Sequence, residues 1–435
     1  MASPFKNPRL RSVVDIFRGA GVLFAGTMTT QILTGLLYLL AARVMLPDKY
    51  GAAASVASIA ILAVAICDFG GMTYALRERS AGRMTPLQLV EWQRSKAVVV
   101  LAVSPVVGVI AALAGGTLTV STIAAAAVLF VCNSLALIMG VALRSELRFG
   151  AVVGATVTSR VPGVLLIFLL AWRGGVSGDL LVLLLALNSG IEACLYRVLQ
   201  KRLTAPHEPV VRYHWVHPYR DRSGVGASAT VNSLGTLDIT VVNNVAGAAV
   251  AGQYAAVNRW MGPIGLAAQA VTQAVFPRMS ADAASKRFSG LVSALLTVSL
   301  SLPVVGTVAL LAPWLVNTFL GSAYAGSVHS LQLLCLAIAF AMACQPLSGA
   351  LVAWRLEKYS TLCVSGGLIV QLGAQAYGAK EFGAAGAAGG AALGQFVTVL
   401  LLCFCLWRTR AIWEREEENV QVDLTSSEAS QIVNG

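Results

Sequence analysis

Long apolar stretches alternate with short polar segments along the whole chain, without the residue-by-residue alternation of polar and apolar positions that marks a barrel strand. Helices of about 20 residues cross the roughly 30 Å of a bilayer's hydrocarbon and satisfy their own backbone hydrogen bonds there. The pattern therefore predicts an all-α integral membrane protein with about 12 transmembrane helices. The predicted spans are 19–42, 51–74, 97–114, 119–142, 151–172, 177–196, 223–246, 248–276, 289–319, 326–353, 359–378 and 384–406.

Lysine and arginine are distributed unevenly between the two sets of loops. The N-terminus, every second loop and the C-terminus hold 25 of the 31 basic residues. The other loops hold only Arg43, Lys49, Arg173 and Lys380. Because basic loops stay in the cytoplasm, the sequence predicts that both termini are cytoplasmic. These loops face anionic lipid, which explains the net charge of +11 without a nucleic-acid partner.

The longest polar interruption divides the predicted spans into two sets of six. We expect an N-terminal six-helix bundle at 1–200, a cytoplasmic or interfacial linker at 201–222, a C-terminal six-helix bundle at 223–407 and a cytoplasmic, largely disordered tail at 408–435. An even number of spans makes both halves enter the membrane in the same direction. The halves are then related by a pseudo-twofold axis along the membrane normal, with a substrate site between them near the midplane.

Sequence patterns of enzymes and cofactor sites are not found. The chain has no nucleotide-binding glycine-rich loop, no HExxH and no GxSxG motif. The eight cysteines lie in or at the ends of predicted spans, where cysteine behaves as a small apolar residue. The three histidines of the linker match no ligand spacing of a metal site. We therefore expect a protein that is not an enzyme and that binds neither metal nor another cofactor.

Ionisable and amide residues inside the predicted spans are the candidates for function, because a charge at the bilayer centre costs about 2.5–3.5 kcal/mol on insertion scales. The candidates are Asp238, Asn244, Asn258, Arg259, Arg160 and Glu192. One interpretation is structural: Arg160 with Glu192, and Asp238 with Arg259, form pairs that fix helix packing. The other is a hydrated cavity whose arginines hold an anionic headgroup and whose acidic residues couple transport to ions or protons.

Short motifs in both halves carry a family resemblance. They are Arg43, Pro47, Tyr50-Gly51, Asp68-Phe69-Gly70, Leu76-Arg77-Glu78, Asp238, Gly252-x-Tyr254, Asn258-Arg259 and Phe276-Pro277-Arg278. In their order and spacing they resemble the Wzx-type flippases of lipid-linked oligosaccharides, in the multidrug/oligosaccharidyl-lipid/polysaccharide exporter superfamily. The resemblance covers most of the chain and includes the number of spans.

The resemblance implies two six-helix bundles around a central cavity that opens to each side of the membrane in turn. It implies a polyprenyl-diphosphate-linked oligosaccharide as substrate, moved from the inner to the outer leaflet of a bacterial cell membrane. Membrane lipids and the polymerase or glycosyltransferases of the same pathway are the implied partners. The cytoplasmic residues Arg77, Arg79 and Arg278 would attract the diphosphate.

Within the cavity, the residues assigned to substrate binding under this hypothesis are Arg259, Asn258, Arg160 and Asn244. Asp238 and Glu192 are assigned to coupling or to the cavity lining. A drug/cation antiporter of the same superfamily would instead use acidic cavity residues such as Asp238. The lipid II flippase branch usually carries two extra spans, so twelve argue against it. A non-transporting scaffold of a polysaccharide-synthesis complex would keep its role without Asp238 or Arg259.

Overall fold

The structure of the protein, a computed structural model, describes residues 8–173, 175–203, 219, 223–263, 265, 290–353 and 356–434. In these ranges every regular element is a helix and no β-strand occurs, so the predicted all-α class is confirmed. Eight of the described helices are long and apolar enough to cross a membrane, or nine if the bent pair Thr297–Leu310 and Ala312–Leu320 is one span. The count of twelve stays a prediction.

Seven helices form the N-terminal half. They are α1 (Pro8–Val44), α2 (Pro47–Asp68), α3 (Gly71–Ser80), α4 (Pro86–Ala114), α5 (Val120–Ser145), α6 (Phe149–Trp172) and α7 (Gly178–Leu203). All except the short α3 contain a segment able to span a membrane, which matches the six spans predicted for this half. Hydropathy alone therefore located these helices.

Among the span boundaries that differ from the prediction, two have a clear local cause. The second span ends at Asp68 rather than 74, because Phe69 and Gly70 both adopt left-handed backbone with φ of 44° and 67°. The third begins at Pro86 rather than 97. Thr85 caps this helix, since its hydroxyl accepts from the Gln88 backbone while the Gln88 side chain accepts from the Thr85 N–H.

The C-terminal half is built from less regular helices. They are α8 (Ser223–Leu234), a 3-10 turn (Gly235–Leu237), α9 (Asp238–Ala246), α10 (Ala248–Asn258), α11 (Gly290–Leu310), α12 (Ala312–Leu315) with a π-helical turn (Val316–Leu320), α13 (Ser327–Ala353) and α14 (Glu357–Asn434). The predicted seventh span is thus interrupted at its middle by the 3-10 turn. Interruptions of this kind at membrane depth are typical of binding sites in transporters.

Helix α14 is a hairpin of two helical arms. Its apolar segment Glu357–Thr409 has 53 residues, about 80 Å of helix, which is more than twice the thickness of the hydrocarbon layer. The chain turns at Gly383, whose φ of 63° and ψ of −144° lie outside the helical region. Gly378 and Gly386 pack backbone against backbone across this turn. The helical backbone continues to Asn434, and the domain boundaries, including a disordered tail, stay predictions.

One hydrophobic core joins the two halves. It contains residues from α2, α4, α5 and α7 of the N-terminal half together with residues of α9, α10, α13 and α14. Helices α2 and α10, which follow the first turn of each half, lie at the centre of this contact. The candidate residues Asp238, Asn258 and Arg259 are therefore placed where α2 and α10 meet α1, α9 and α14.

Candidate functional site

Asp238 lies at the first residue of α9, directly after the 3-10 turn, and it is buried. Its Oδ2 accepts hydrogen bonds from the Tyr254 hydroxyl at 3.0 Å and from Asn258 Nδ2 at 2.8 Å. Its Oδ1 accepts from the backbone N–H of Ile239 at 2.6 Å. Hydrogen bonds to an ionised acceptor are stronger than neutral ones, so these donors offset part of the cost of burying a carboxylate.

Tyr254 extends this set of residues to α14. Its hydroxyl accepts a hydrogen bond from Gln375 Nε2 at 3.0 Å, and both side chains are buried. We call Asp238, Tyr254, Asn258 and Gln375 the Asp238 network. Gln375 was not among the residues predicted from the sequence, since a single glutamine in a span is equally typical of helix packing. Its position four residues after Gln371, on the same helical face, is the signal that could have drawn attention to it.

Arg259 directly follows α10 and points toward the N-terminal half. Its guanidinium lies over the ring of Tyr38 in α1, 4.7 Å from the ring centroid, and its Nε is buried without a hydrogen-bond partner. Among the ion pairs of the described residues, none contains Arg259. Asp238 and Arg259 therefore do not form the direct pair that the structural interpretation requires.

The depth of Arg259 can be read from α10. The helix begins at Ala248, so Arg259 lies about 16 Å along the axis from its start. In the predicted topology, where the eighth span starts at 248, this distance is about half the thickness of the hydrocarbon layer. A cation at that depth without a carboxylate in direct contact is costly, and such residues typically face a water-filled cavity or a substrate pathway.

Arg160 and Glu192 form a separate pair within the N-terminal half. Arg160 Nη2 donates to Glu192 Oε2 at 2.9 Å and joins α6 to α7. Glu192 Oε1 accepts from the Tyr196 hydroxyl at 3.0 Å and from the Thr156 hydroxyl at 3.2 Å. Both oxygens of the carboxylate thus have partners inside this half, which favours the structural interpretation of the pair.

The two candidate asparagines have different environments. Asn258 donates to Asp238, as described above. Asn244 Nδ2 donates to the Thr240 carbonyl of its own helix at 2.9 Å, so the structure does not bring Asn244 to the Asp238 network. The neighbouring Asn243, which the sequence analysis did not select, reaches the N-terminal half by donating to the Ala114 carbonyl at 2.8 Å.

Two of the three candidate capture arginines lie on α3. The Arg77 side chain is 59% exposed, whereas the Arg79 side chain is 20% exposed and lies 3.9 Å from Glu146. Arg77 is therefore the more accessible of the two to an anion arriving from the predicted cytoplasmic side. Arg278 lies outside the residues that the structure describes.

Glu78 neutralises part of the charge of α3. It accepts hydrogen bonds from Arg83 at 2.6 Å and from Arg77 at 3.1 Å. These hydrogen bonds, that of Arg83 above all, lower the pKa of the Glu78 carboxyl to about 2. Glu78 is consequently ionised throughout the physiological range, and the net charge of α3 does not change with pH there.

Lys96 is a buried cation that the sequence analysis placed in a cytoplasmic loop. It lies in α4 and is 1% exposed. Its Nζ donates to the backbone oxygens of Cys67 at 2.9 Å and Asp68 at 2.8 Å, and to Asp68 Oδ1 at 3.2 Å. These carbonyls end α2, where the helix dipole is negative, so Lys96 acts as a cap.

The predicted linker also contacts this end of α2. The Tyr219 hydroxyl donates to the Cys67 carbonyl at 2.8 Å, and its ring lies 4.7 Å from Lys96 Nζ. Tyr219, which precedes the C-terminal half, thus contacts the N-terminal half at the Cys67 carbonyl and at the buried Lys96. The capping box at Thr85 was the sequence signal that would have placed Lys96 inside a helix.

We expect Lys96→Met to destabilise the folded protein by about 3–5 kcal/mol, because it leaves the Asp68 carboxylate and two carbonyls buried without their cation. The midpoint of thermal unfolding in detergent, followed by size-exclusion chromatography of the fluorescently tagged protein, measures the effect. Lys380→Met removes an exposed lysine and is the matched control. Equal midpoints for the two variants would contradict the capping role.

Hydrogen bonds between the halves are found at the predicted outer face. They join Arg43 Nη1 to the Thr318 carbonyl (2.7 Å), the Tyr324 hydroxyl to the Met45 carbonyl (3.2 Å) and Asn243 to Ala114. The rings of Tyr50 and Tyr324 also meet edge to face, with centroids 6.4 Å apart. The outer ends of the two halves are therefore closed against each other above Arg259.

Two glycines bring α2 and α10 into backbone contact at this closure. A methyl group at Gly252 would overlap the carbonyl oxygen of Pro47, and one at Gly51 would overlap the carbonyl oxygen of Ala248. Only glycine allows two helices to approach this closely. The contact closes the predicted outer face without using any long side chain.

Comparisons with known proteins agree with this architecture. Residues 40–329 match the family described as "Polysaccharide biosynthesis protein". The fold is similar to that of the lipid II flippase MurJ in an inward closed conformation, with a TM-score of 0.72 and 16% identity over 88% of this chain and 87% of that one. No curated protein sequence matches the chain.

Two multidrug transporters are also similar in fold. A multidrug resistance MATE family transporter of the MOP superfamily, in an inward-facing conformation, has a TM-score of 0.64 and 17% identity over 89% of this chain and 96% of that one. The MATE multidrug transporter DinF-BH has a TM-score of 0.60 and 15% identity over 93% of this chain and 96% of that one. Identities this low show a shared fold and carry no substrate from one protein to another. Because the family match covers more than half of the sequence, the chain belongs to the polysaccharide biosynthesis protein family, and its fold is that of the MurJ and MATE membrane transporters.

Proposed function

We propose that the protein moves a polyprenyl-diphosphate-linked oligosaccharide from the inner to the outer leaflet of a bacterial cell membrane by alternating access. Membership of a polysaccharide biosynthesis family and the fold shared with a lipid-linked flippase support a transporter of lipid-linked glycans. In this proposal both termini are cytoplasmic, and the polymerase or glycosyltransferases of the same pathway are partners.

Arg259 is the observation that carries the proposal. In the predicted topology its guanidinium lies near mid-membrane, over Tyr38 of the other half, and among the described residues no carboxylate oxygen lies within 4 Å of it. A planar guanidinium suits phosphate oxygens because it donates two parallel hydrogen bonds. A diphosphate headgroup in the central cavity would supply the missing negative charge.

The Asp238 network would act beside this anion. Its carboxylate is held by Tyr254 and Asn258, and Asn258 directly precedes Arg259. A change in the charge or position of Asp238 therefore reaches Arg259 through one residue of α10. We assign Asp238 to positioning Arg259 and to coupling, and Arg77 on α3 to the first attraction of the diphosphate at the cytoplasmic side.

We expect Arg259→Ala to lower transport by about 30-fold or more, because removing one partner of a buried charge contact costs about 2 kcal/mol at least. Arg259→Lys keeps the charge without the two parallel donors and should retain intermediate activity. The measurement is the leaflet of lipid-linked glycans in a deletion strain complemented by each variant, assigned by protection from an added glycosidase. Arg173→Ala, at an exposed arginine of a predicted outer loop, is the control.

The same strains separate the proposal from its alternatives. Accumulation of protected, cytoplasm-facing glycan lipids in the deletion strain supports flipping. Unchanged glycan lipids together with raised drug susceptibility would instead indicate a drug/cation antiporter, a class whose fold is also similar. Full function of the Arg259→Ala variant at normal protein levels would favour a non-transporting scaffold.

A further inference from the structure

A cavity of about 570 Å³ opens within the C-terminal half, apart from Arg259. Its volume lies in the range of about 300–1,000 Å³ that is typical of small-molecule sites. Its walls come from α8, the 3-10 turn, α13 and both arms of α14. The polar side chains that line it are those of Asn232, Gln345, Gln371, Gln395, Ser348 and Thr398.

The lining is polar and uncharged at membrane depth. Gln345, Gln371 and Gln395 each lie at least seven residues, about 10 Å of helix, from the nearest end of their helix or hairpin arm, and Asn232 lies nine residues from the start of the predicted seventh span. No lysine, arginine, aspartate or glutamate is among the described residues that line the cavity. Amides at this depth are costly unless they bind to one another, to water or to a ligand.

Some of the polar side chains that line the cavity already form hydrogen bonds with other residues of the protein. Gln395 Nε2 donates to Gln371 Oε1 at 3.0 Å, and the Ser348 hydroxyl lies 2.7 Å from that of Ser360. Asn232 and Gln345 differ, because both are exposed to the cavity and neither makes a hydrogen bond to any described residue. Each presents one acceptor and two N–H donors to the cavity.

The side chains that line the cavity favour some classes of ligand over others. A cationic drug would require a carboxylate and a diphosphate would require a cation, and neither group is found among the described residues of the cavity lining. An apolar lipid tail would leave the amides of Asn232 and Gln345 without partners. A polyol remains, because each sugar hydroxyl both donates and accepts hydrogen bonds, as the amides do.

The cavity also adjoins the Asp238 network. Gln371, which lines it, lies four residues before Gln375, so the two side chains share one face of α14. Gln375 in turn donates to Tyr254, the partner of Asp238. A ligand in contact with Gln371 would therefore lie about one helical turn from Gln375, the outermost member of the Asp238 network.

We propose that this amide-lined cavity binds the uncharged sugar portion of the substrate while Arg259 binds its anionic headgroup. The inference rests on the proposed function, which supplies a substrate with both parts. It divides recognition between two places: the headgroup between the halves and the glycan within the C-terminal half. Specificity for the glycan then resides in α8, α13 and α14.

Binding of two probes to the purified protein in lipid nanodiscs tests this division. One probe is sugar-free polyprenyl diphosphate, and the other is the lipid-linked glycan fraction extracted from the cells that make the protein. We expect Asn232→Leu and Gln345→Leu each to weaken binding of the glycan probe about 3- to 10-fold, since each removes hydrogen bonds to sugar. Binding of the sugar-free probe should not change, which also shows that the variants are folded.

Matched variants separate failure of this inference from failure of the proposed function. Gln332→Leu makes the same substitution on α13, about 20 Å of helix away and outside the cavity, and should bind both probes as the wild type does. Arg259→Ala should weaken both probes equally. If the cavity variants bind the glycan probe like the wild type, the sugar site is wrong and the proposed function stands. If the wild type binds neither probe, both are wrong.

Discussion

Asp238→Asn is expected to lower transport by about 100-fold or more while the protein still reaches the membrane. The asparagine keeps the size of the side chain and one acceptor for Tyr254 or Asn258, so the helices around it remain packed. The substitution removes the negative charge. It also replaces one carboxylate oxygen by an NH2 group, which then faces a donor that the oxygen accepted from. A hydrogen bond to a charged group contributes about 1.5–3 kcal/mol, and both bonds to Oδ2 are lost or weakened, so a total loss of about 3 kcal/mol corresponds to more than a 100-fold change.

Two further variants make this result specific. Tyr254→Phe removes one donor to Asp238 and the acceptor of Gln375, and it should lower transport about 10-fold. Asp179→Asn changes a carboxylate that accepts from the Thr122 hydroxyl at 2.7 Å, away from the network, and should leave transport close to wild type. Transport is measured by the glycosidase-protection assay, and protein levels by immunoblot. Normal transport by Asp238→Asn would remove Asp238 from the mechanism.

The fold could be predicted from the sequence to the extent that it depends on hydropathy. Six helices of the N-terminal half follow from apolar stretches of sufficient length, since a bilayer imposes that length directly. The start of α4 was missed because Lys96, Arg94 and Glu91 made residues 82–96 look like a loop. Their helical position depends on the Thr85 cap and on the burial of Lys96 against the end of α2, which a hydropathy window does not register.

The candidate site was predictable only in part, for a related reason. The cost of a charge in the membrane identified Asp238 and Arg259 one residue at a time. Their partners follow from tertiary packing: Gln375 is 121 residues from Tyr254, and Tyr38 comes from the other half of the chain. For the same reason the sequence could not decide whether Asp238 and Arg259 form a direct ion pair. In the structure they do not, because the neutral donors Tyr254 and Asn258 bind the carboxylate instead.

Gly252→Ala is expected to abolish transport by preventing closure of the predicted outer face. The added methyl group would overlap the carbonyl of Pro47, and a backbone atom cannot move aside as a flexible side chain can. A transporter that works by alternating access must close this face in every cycle. The variant should therefore fold and remain open at the outer side, where Tyr324→Cys, placed in the same protein, would become accessible to a membrane-impermeant maleimide.

The control is a second glycine-to-alanine change within a helix. At Gly306 in α11 an added methyl group would meet no atom of the described structure within 4 Å, so Gly306→Ala should transport normally and leave a cysteine at position 324 protected, as Tyr324 is now 1% exposed. Gly51→Ala, on the other side of the same contact, should reproduce the loss seen with Gly252→Ala. Equal transport by Gly252→Ala and Gly306→Ala would mean that the close contact between α2 and α10 is not required for transport. Labelling of position 324 without loss of transport would mean that closure of this face is not a necessary step.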